Sequence, residues 1–349
     1  MIYNIDKEYL IDTFRTIVNT PSPVGFHVLL NPVLERYAHS FGLKTYYDNR
    51  STLYAEMDGI DNSKTIMVGA HADTLGLIVR RIEKNGTLRV TNLGGINFAN
   101  IEGESVQIHT RNGKVYTGLI CCQSHSTHVF DDARTLERNE NTMMVTIDED
   151  VKSEEDVRKL GIRHGDIISI DPRCQFTESG FLKSRFIDDK GAIASVFTAL
   201  KYMKEHDLKP DYRTVFAFPY REEIGQGGTY VPEGVTEYTA MDIGLIGPDY
   251  DGNEYSVSIC AKDNAGIYDW ELTNRLIALA EKAECDYAVD VFHRYSTDAN
   301  AAMRGGANIK NAAFGMAVIS SHGMERCHIR GLENSVNLLL AYLVNYPHL

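Results

Sequence analysis

Residues 65–73 read TIMVGAHAD, an unbroken apolar run that ends in His71 and Asp73. Such a run suits a strand buried on both faces of a sheet, with chemistry at its carboxyl end. Working outward, residues 6–19 and 26–41 read as amphipathic helices, split by Pro21-Ser22-Pro23-Val24-Gly25. Proline and glycine there break the helix and turn the chain. Short strands at 43–48 and 52–57 lead into the apolar run. From Leu77 to about residue 170 the texture changes to short alternating segments such as LIVRRI, SVQIHT, KVYTGLI and DIISID. Asn85-Gly86, Asn112-Gly113 and Gly165-Asp166 punctuate them, and a short helix is expected at 153–159. This pattern predicts a small β-barrel or sandwich inserted into the first domain.

Past Asp188 the α/β pattern returns. Helices are expected at 190–206, 271–283 and 333–345, and strands at 214–220, 240–246, 255–260, 287–292 and 312–320. The expected fold class is α/β: a mixed sheet sandwiched by helices, from residues 1–76 and 171–349, interrupted by a β domain of 77–170.

A chain of 349 residues is long enough for about two domains. Its 35 basic and 48 acidic residues leave a net charge of -13 and no basic run. That argues against nucleic acid as the main partner. No apolar stretch approaches the roughly 20 residues that a membrane helix needs. The start, MIYNIDKEYLIDTF, lacks a basic segment followed by an apolar one, so no signal peptide is expected. Cys121, Cys122, Cys174, Cys260, Cys285 and Cys327 form no C-x-x-C pair. Scattered thiols of this kind suit a reducing cytoplasm.

The chemistry gathers at predicted strand ends. His71 and Asp73 follow one strand, Glu222-Glu223 another, and His322 and His328 a third; Asp188-Asp189 precede a helix, and Asp242 interrupts an apolar strand. Each has a bland reading. A lone His71 is more often a structural histidine, though Asp73 two residues on could orient a ligating imidazole. Asp188-Asp189 is equally a helix cap, and Glu222-Glu223 a solvated pair. Asp242 is harder to dismiss, because an unpaired charge in an apolar strand is costly. Taken together, imidazole and carboxylate donors suit a two-metal hydrolytic site for zinc, with cobalt or manganese as alternatives. One carboxylate would bridge the ions and an unligated one would move the proton.

The order GAHADTLG, FIDDKGA, EEIGQGG, AMDIG, STDA and a late His resembles the TET-type, FrvX-like (glutamyl-aminopeptidase-like) metallopeptidases, peptidase family forty-two. The likeness extends over nearly the whole chain, including the β-rich insert. It implies one divalent ion held by His71, Asp188 and Asp242, and a second held by Glu223 and His328, with Asp188 bridging. It implies Glu222 as general acid/base, Asp73 as the residue orienting His71, a cis Asp188-Asp189 bond, and Asp298 near the substrate cleft. His322 is the runner-up as last ligand. The chain departs from the family's usual text in HADTLG, in DIGLIG after Asp242, and above all in SHGMERCHIRGLE, which marks a divergent branch. The resemblance also implies self-association, as a dimer through the β insert or a twelve-subunit tetrahedral particle.

The leading expectation is a cytoplasmic aminopeptidase acting on short peptides. The alternative is a metal-dependent amide hydrolase, a deacylase or dedicated dipeptidase, suggested by the altered SHGMERCH and DIGLIGPDY regions. A non-catalytic protein that has kept the fold is the third reading, since a fold alone does not imply function.

Overall fold

The structure, a computed structural model, describes residues 1–344. It divides into two units, Met1–Asp73 with the chain from Arg173 onward, and Thr74–Pro172. In the first, the apolar run lies within strand Asp61–Gly69, which has a parallel neighbour on each side, Tyr212–Phe218 and Val235–Met241. Lys310–Val318 continues the parallel set beside Val235–Met241. Antiparallel strands then extend the sheet, with Lys44–Tyr47 and Leu53–Met57 on one side and Val257–Lys262 joining Lys310–Val318 on the other. Tyr287–Val291 forms one edge. Ile66, Met67 and Val68 are each 1% exposed, which is why this strand reads as a continuous apolar run.

Alternation along the strands separates two covered faces. Helices Lys7–Val18, Ile187–Glu205 and Ile329–Val344 pack against one another, and Phe197 of the long helix stacks on Phe218 of the sheet. On the opposite face Met67, Ala217, Ala240 and Ala313 meet Ala299 and Ala302 of helix Asp298–Arg304. The sequence reading has no helix there. Seven residues make about two turns, too few to display a helical period.

Several elements differ from expectation in informative ways. The strand expected at 240–246 ends at Met241, and pairing resumes only at Gly244–Leu245. Asp242 therefore stands beyond a strand end, with its amide donating to the Phe314 carbonyl at 3.0 Å. The last helix starts at Ile329 and not at 333; its expected final residue, 345, lies outside the described residues. Gln175–Phe176, Phe181–Ser184 and Glu325–His328 form a small antiparallel sheet that the sequence did not suggest. Such short segments carry too little alternation to be seen.

In the second unit, strand Gly76–Ile82 pairs with both Leu88–Leu93 and Ile167–Ile170, and this closes a six-stranded antiparallel barrel. Leu77, Val79, Leu88, Val90, Val106, Ile108, Val145 and Ile168 fill its interior, as expected where inward positions alternate along every strand. Helix Glu154–Leu160 is capped by Ser153 and ends at Gly161, at φ 94°, a left-handed position that favours glycine. Among the described residues, no helix is long and apolar enough to cross a membrane.

One glycine ties strand packing to chemistry. A Cβ at Gly315 would run into the backbone of Asp242 on the neighbouring segment. Gly315→Ala is expected to cost about 1–3 kcal/mol of stability by overpacking. Thermal unfolding of the two proteins should show a lower Tm for the variant, and an unchanged Tm would show that the sheet relaxes freely here.

Candidate metal centre

Four adjacent parallel strands deliver their carboxyl ends to one place. His71 and Asp73 follow Asp61–Gly69, and Glu222 and Glu223 follow Tyr212–Phe218 in a short 3-10 turn. Asp242 follows Val235–Met241, and His322 follows Lys310–Val318. The start of the long helix Ile187–Glu205 brings in Asp188 and Asp189, joined by a cis peptide bond. The carboxyl ends of parallel strands are the usual place for ligands on an open α/β sheet.

Asp188 stands between two imidazoles. Its Oδ1 lies 2.9 Å from His71 Nε2, and its Oδ2 lies 3.6 Å from His322 Nε2. His322 Nε2 is also 3.3 Å from Glu223 Oε2, while Glu222 Oε2 is 3.9 Å from His71 Nε2. Donor atoms of His71, Asp188 and Glu223 lie within 4.8 Å of one another, as do those of His71, Glu222 and Asp242, and of Asp188, Asp189 and Asp242.

These donors fit divalent cations. His71 Nδ1 faces only acceptors, the Asp73 carbonyl at 3.0 Å and the Asp73 carboxylate at 3.5 Å, so that nitrogen carries the proton. Its Nε2 then points a lone pair at a carboxylate, an arrangement that calls for a positive charge between them. Without a metal, only a proton can supply that charge. Burial opposes an imidazolium at His71, but hydrogen bonds to Asp188 and Asp73 outweigh it and hold its pKa well above the usual value. Burial pushes Glu222, Glu223 and Asp242 well up, and neighbouring carboxylates push them further. Asp189 Oδ1 is buried and has no hydrogen-bond partner. Acids gathered this closely away from water need cations to remain ionised together.

A buried scaffold holds the cluster. Asp73 accepts the Glu222 amide at 3.1 Å through Oδ1 and the Glu223 amide at 3.2 Å through Oδ2. Asp189 Oδ2 accepts the His71 amide at 3.1 Å. Lys190 donates to the Ala72 carbonyl at 3.0 Å and to Ser22, which itself donates to the same carbonyl. Burial draws the Lys190 ammonium down to about 7, against the pull of Asp73 and Asp189. Glu325 accepts the Asp188 amide at 3.0 Å and the His322 amide at 3.2 Å. Tyr295 hydrogen-bonds the Asp242 carboxylate. Glu325, Lys190 and Tyr295 escaped the sequence reading. A charged residue at the centre of SHGMERCH was the available signal for Glu325; Tyr295 had none.

Motif position favoured His328 over His322 as the last ligand; the structure instead places His322 at the cluster and His328 away from it. His328 ends strand Glu325–His328, where successive side chains point to opposite faces. Glu325 faces Asp188, so the residue three positions on faces away. The His328 ring packs on Phe181 and Tyr255, and its Nε2 meets the Ser179 carbonyl at 2.9 Å. His322 reaches the cluster from the preceding turn, at φ 62°. Asp298 lies under the turn after Glu222-Glu223: its Oδ1 accepts the Gly228 amide at 2.6 Å, and its buried Oδ2 has no partner. Burial lifts its carboxyl to about 7. A cavity of about 460 Å³ opens beside the cluster, bounded by Asp188, Glu222, Glu223, Asp242 and His322 among others.

Imidazoles and carboxylates converging at the ends of parallel strands, beside a cavity, define a centre of the metallohydrolase class. The chain belongs to the M42 glutamyl aminopeptidase family, whose sequence profile matches residues 51–338. It is 38% identical over 334 residues to YhfE of Bacillus subtilis, provisionally named an aminopeptidase, covering 95% of this chain and 96% of that one. It is 22% identical to the lysyl aminopeptidase of Pyrococcus furiosus, across 63% of this chain and 61% of the relative. In fold it matches the aminopeptidase APDkam598 of Desulfurococcus kamchatkensis with a TM-score of 0.86 at 22% identity, covering 97% and 95% of the two chains. The dodecameric PhTET1 matches with a TM-score of 0.83 at 22% identity, covering 96% and 98%. The protein is thus a peptidase of the aminopeptidase class.

The two histidines can be separated by metal content. His322→Ala is expected to lower the bound metal by about one ion per chain, whereas His328→Ala retains it. Elemental analysis after purification in zinc checks this, and the reverse pattern would restore the motif-based assignment.

Proposed function

We propose that this chain is a two-metal aminopeptidase that removes the N-terminal residue from short peptides. His71 and Asp242 would hold one ion, Glu223 and His322 the other, and Asp188 would lie between them. The observation that carries this reading is the placement of Asp188, whose two carboxylate oxygens each face a different imidazole. Bound there, a metal pair supplies Lewis acidity and an acidified water.

The chain's own residues supply the rest. Asp73 holds the Nδ1 proton of His71 and so keeps Nε2 turned toward Asp188. Glu222 is not needed as a ligand in this assignment, and burial lifts its carboxyl well above the usual range. A carboxylate in that position can accept the proton of the attacking water and deliver it to the amine nitrogen as the C–N bond breaks. Glu223, held on the adjacent amide by the same Asp73, is left to bind the ion beside His322. Zinc suits the donors, as do cobalt and manganese.

Self-association through the Thr74–Pro172 barrel is part of the proposal, motivated by the dodecameric form of PhTET1. Six free cysteines suit a reducing, cytoplasmic setting. Light scattering should give a native mass of a dimer or a larger multiple of 39.1 kDa; a monomer at micromolar concentration would reject this part.

Glu222→Gln is expected to lower kcat by about 10²–10⁴-fold while keeping the wild-type metal content. Hydrolysis of aminoacyl-anilides, with metal analysis in parallel, checks this. Chelation should abolish activity and zinc, cobalt or manganese restore it. Full activity without metal, or turnover of only N-acetylated analogues, would replace this reading, the latter with the amide-hydrolase alternative.

A further inference from the structure

Asp73 fixes only the start of the loop that carries the paired glutamates. That loop, REEIGQGGTY at 221–230, includes Gly225, Gly227 and Gly228, and such a composition is costly in backbone entropy to order. Two hydrogen bonds close its first half into a turn. The Gly225 amide donates to the Glu222 carbonyl at 2.6 Å, and the Gln226 amide to the Arg221 carbonyl at 2.9 Å. Whatever holds Gln226 therefore also holds the chain at Arg221 and Glu222.

Arg50 holds Gln226. It stands in the turn between strands Lys44–Tyr47 and Leu53–Met57, and its Nη1 donates to the Gln226 carbonyl at 3.0 Å and to Thr229 Oγ1 at 2.5 Å. Thr229 donates to the same carbonyl at 2.8 Å. Asp48 fixes Arg50 in its place. Its Oδ1 accepts the Arg50 amide at 2.8 Å and the Thr52 amide at 2.9 Å, and its Oδ2 lies 3.8 Å from the guanidinium Nε. Asp298 takes the loop from beneath. Its Oδ1 accepts the Gly228 amide at 2.6 Å, and a Cβ on Gly228 would run into the Asp298 carbonyl. Burial opposes the charge on Asp298, and Arg50 is among the groups that favour it. A cation thus holds a carbonyl of segment 226–229 and an anion holds one of its amides, both through hydrogen bonds that charge strengthens.

We propose that Arg50 and Asp298 are positioning residues for the hydrolytic step: by clamping segment 226–229 they hold the Glu222 carboxylate where it can move the proton from water to amine. This deepens the aminopeptidase reading and rests on it. In that reading Glu223 is held by its ion as well as by Asp73, whereas Glu222 is unligated and takes its position from the backbone. The clamp therefore acts on proton transfer more than on metal binding.

The test compares the zinc-loaded wild type with Arg50→Ala, Arg50→Lys, Asp298→Ala and Asp298→Asn on the aminoacyl-anilide best hydrolysed. Arg50→Ala is expected to lower kcat about ten- to a hundred-fold, with KM little changed and the full zinc content. Lysine offers a single nitrogen to two acceptors and should restore part of the loss. Asp298→Asn keeps an acceptor oxygen for Gly228 and should retain most of the activity that Asp298→Ala loses. Added guanidinium should revive Arg50→Ala, because a cavity of about 460 Å³ lined by Tyr47, Asp48, Asn49, Arg50 and Tyr230 gives it entry. An unchanged kcat in Arg50→Ala, a loss carried by zinc content or by KM, or no gain from either lysine or guanidinium would overturn the proposal while leaving the aminopeptidase reading intact. If Arg50→Ala does not fold, Arg50→Lys carries the test: a lower kcat at full zinc content supports the clamp, and the wild-type kcat rejects it. Should the wild type turn over nothing, the aminopeptidase reading fails by itself, and hydrogen exchange decides about the clamp. Faster exchange across residues 221–230 in the Arg50 variant supports it, and unchanged exchange rejects it.

Discussion

The Asp73 carboxylate is the contact on which the rest of the centre depends. It is fully buried and faces three partners: the Nδ1 side of His71 and the amides of Glu222 and Glu223. A side chain at the end of one strand thereby sets the position of the turn after its neighbour. With both amides bound by one carboxylate, Glu222 and Glu223 are held in a fixed relation to His71. Glu325 acts in the same way on the opposite side, where it joins the start of the long helix to the turn carrying His322. Two buried acids that are not ligands in the proposed assignment thus set the placement of the groups that are.

This arrangement carries an electrostatic penalty that the fold does not relieve alone. His71 and the acids around it sit within a few ångströms of one another and largely away from water, and desolvation disfavours their charged forms. Metal ions that bind only the folded protein would remove much of that penalty and stabilise the native state in proportion to their affinity. Helix Asp298–Arg304 covers one face of the sheet and also carries Asp298 under the Gly227–Thr229 turn. One short element thus contributes both to the packing of that face, through Ala299 and Ala302, and to the cavity lining, through Arg304.

The legibility of the chain followed physical range. The central strand was legible from its unbroken apolar run, because burial on both faces imposes that composition. The barrel was legible from alternating residues and glycine turns, because one face of each strand meets the interior. Helix Asp298–Arg304 and the Gln175–Phe176, Phe181–Ser184, Glu325–His328 sheet were not, since each segment is shorter than the period that would reveal it. His71, Asp188, Glu222 and Glu223 were legible as polar residues at element ends, and Asp242 as a charge inside an apolar strand; the structure brings all five together. The choice between His322 and His328 was not legible. It turned on which residue of SHGMERCH begins the strand, and a shift of one position reverses every side chain.

By itself the sequence determined the α/β class, the inserted β-rich unit, the acidic surface and the chemical kinds of donor available. These follow from composition and local periodicity, which a chain carries before it folds. Tertiary structure decided which donors meet. Four strands far apart in sequence had to lie side by side and parallel before their ends could share one site. It also decided that Asp188 lies between His71 and His322, that Tyr295 reaches Asp242, and that Arg50 and Asp298 hold the loop carrying Glu222 and Glu223. Those relations depend on distances between segments up to a hundred or more residues apart, and no local pattern encodes such distances.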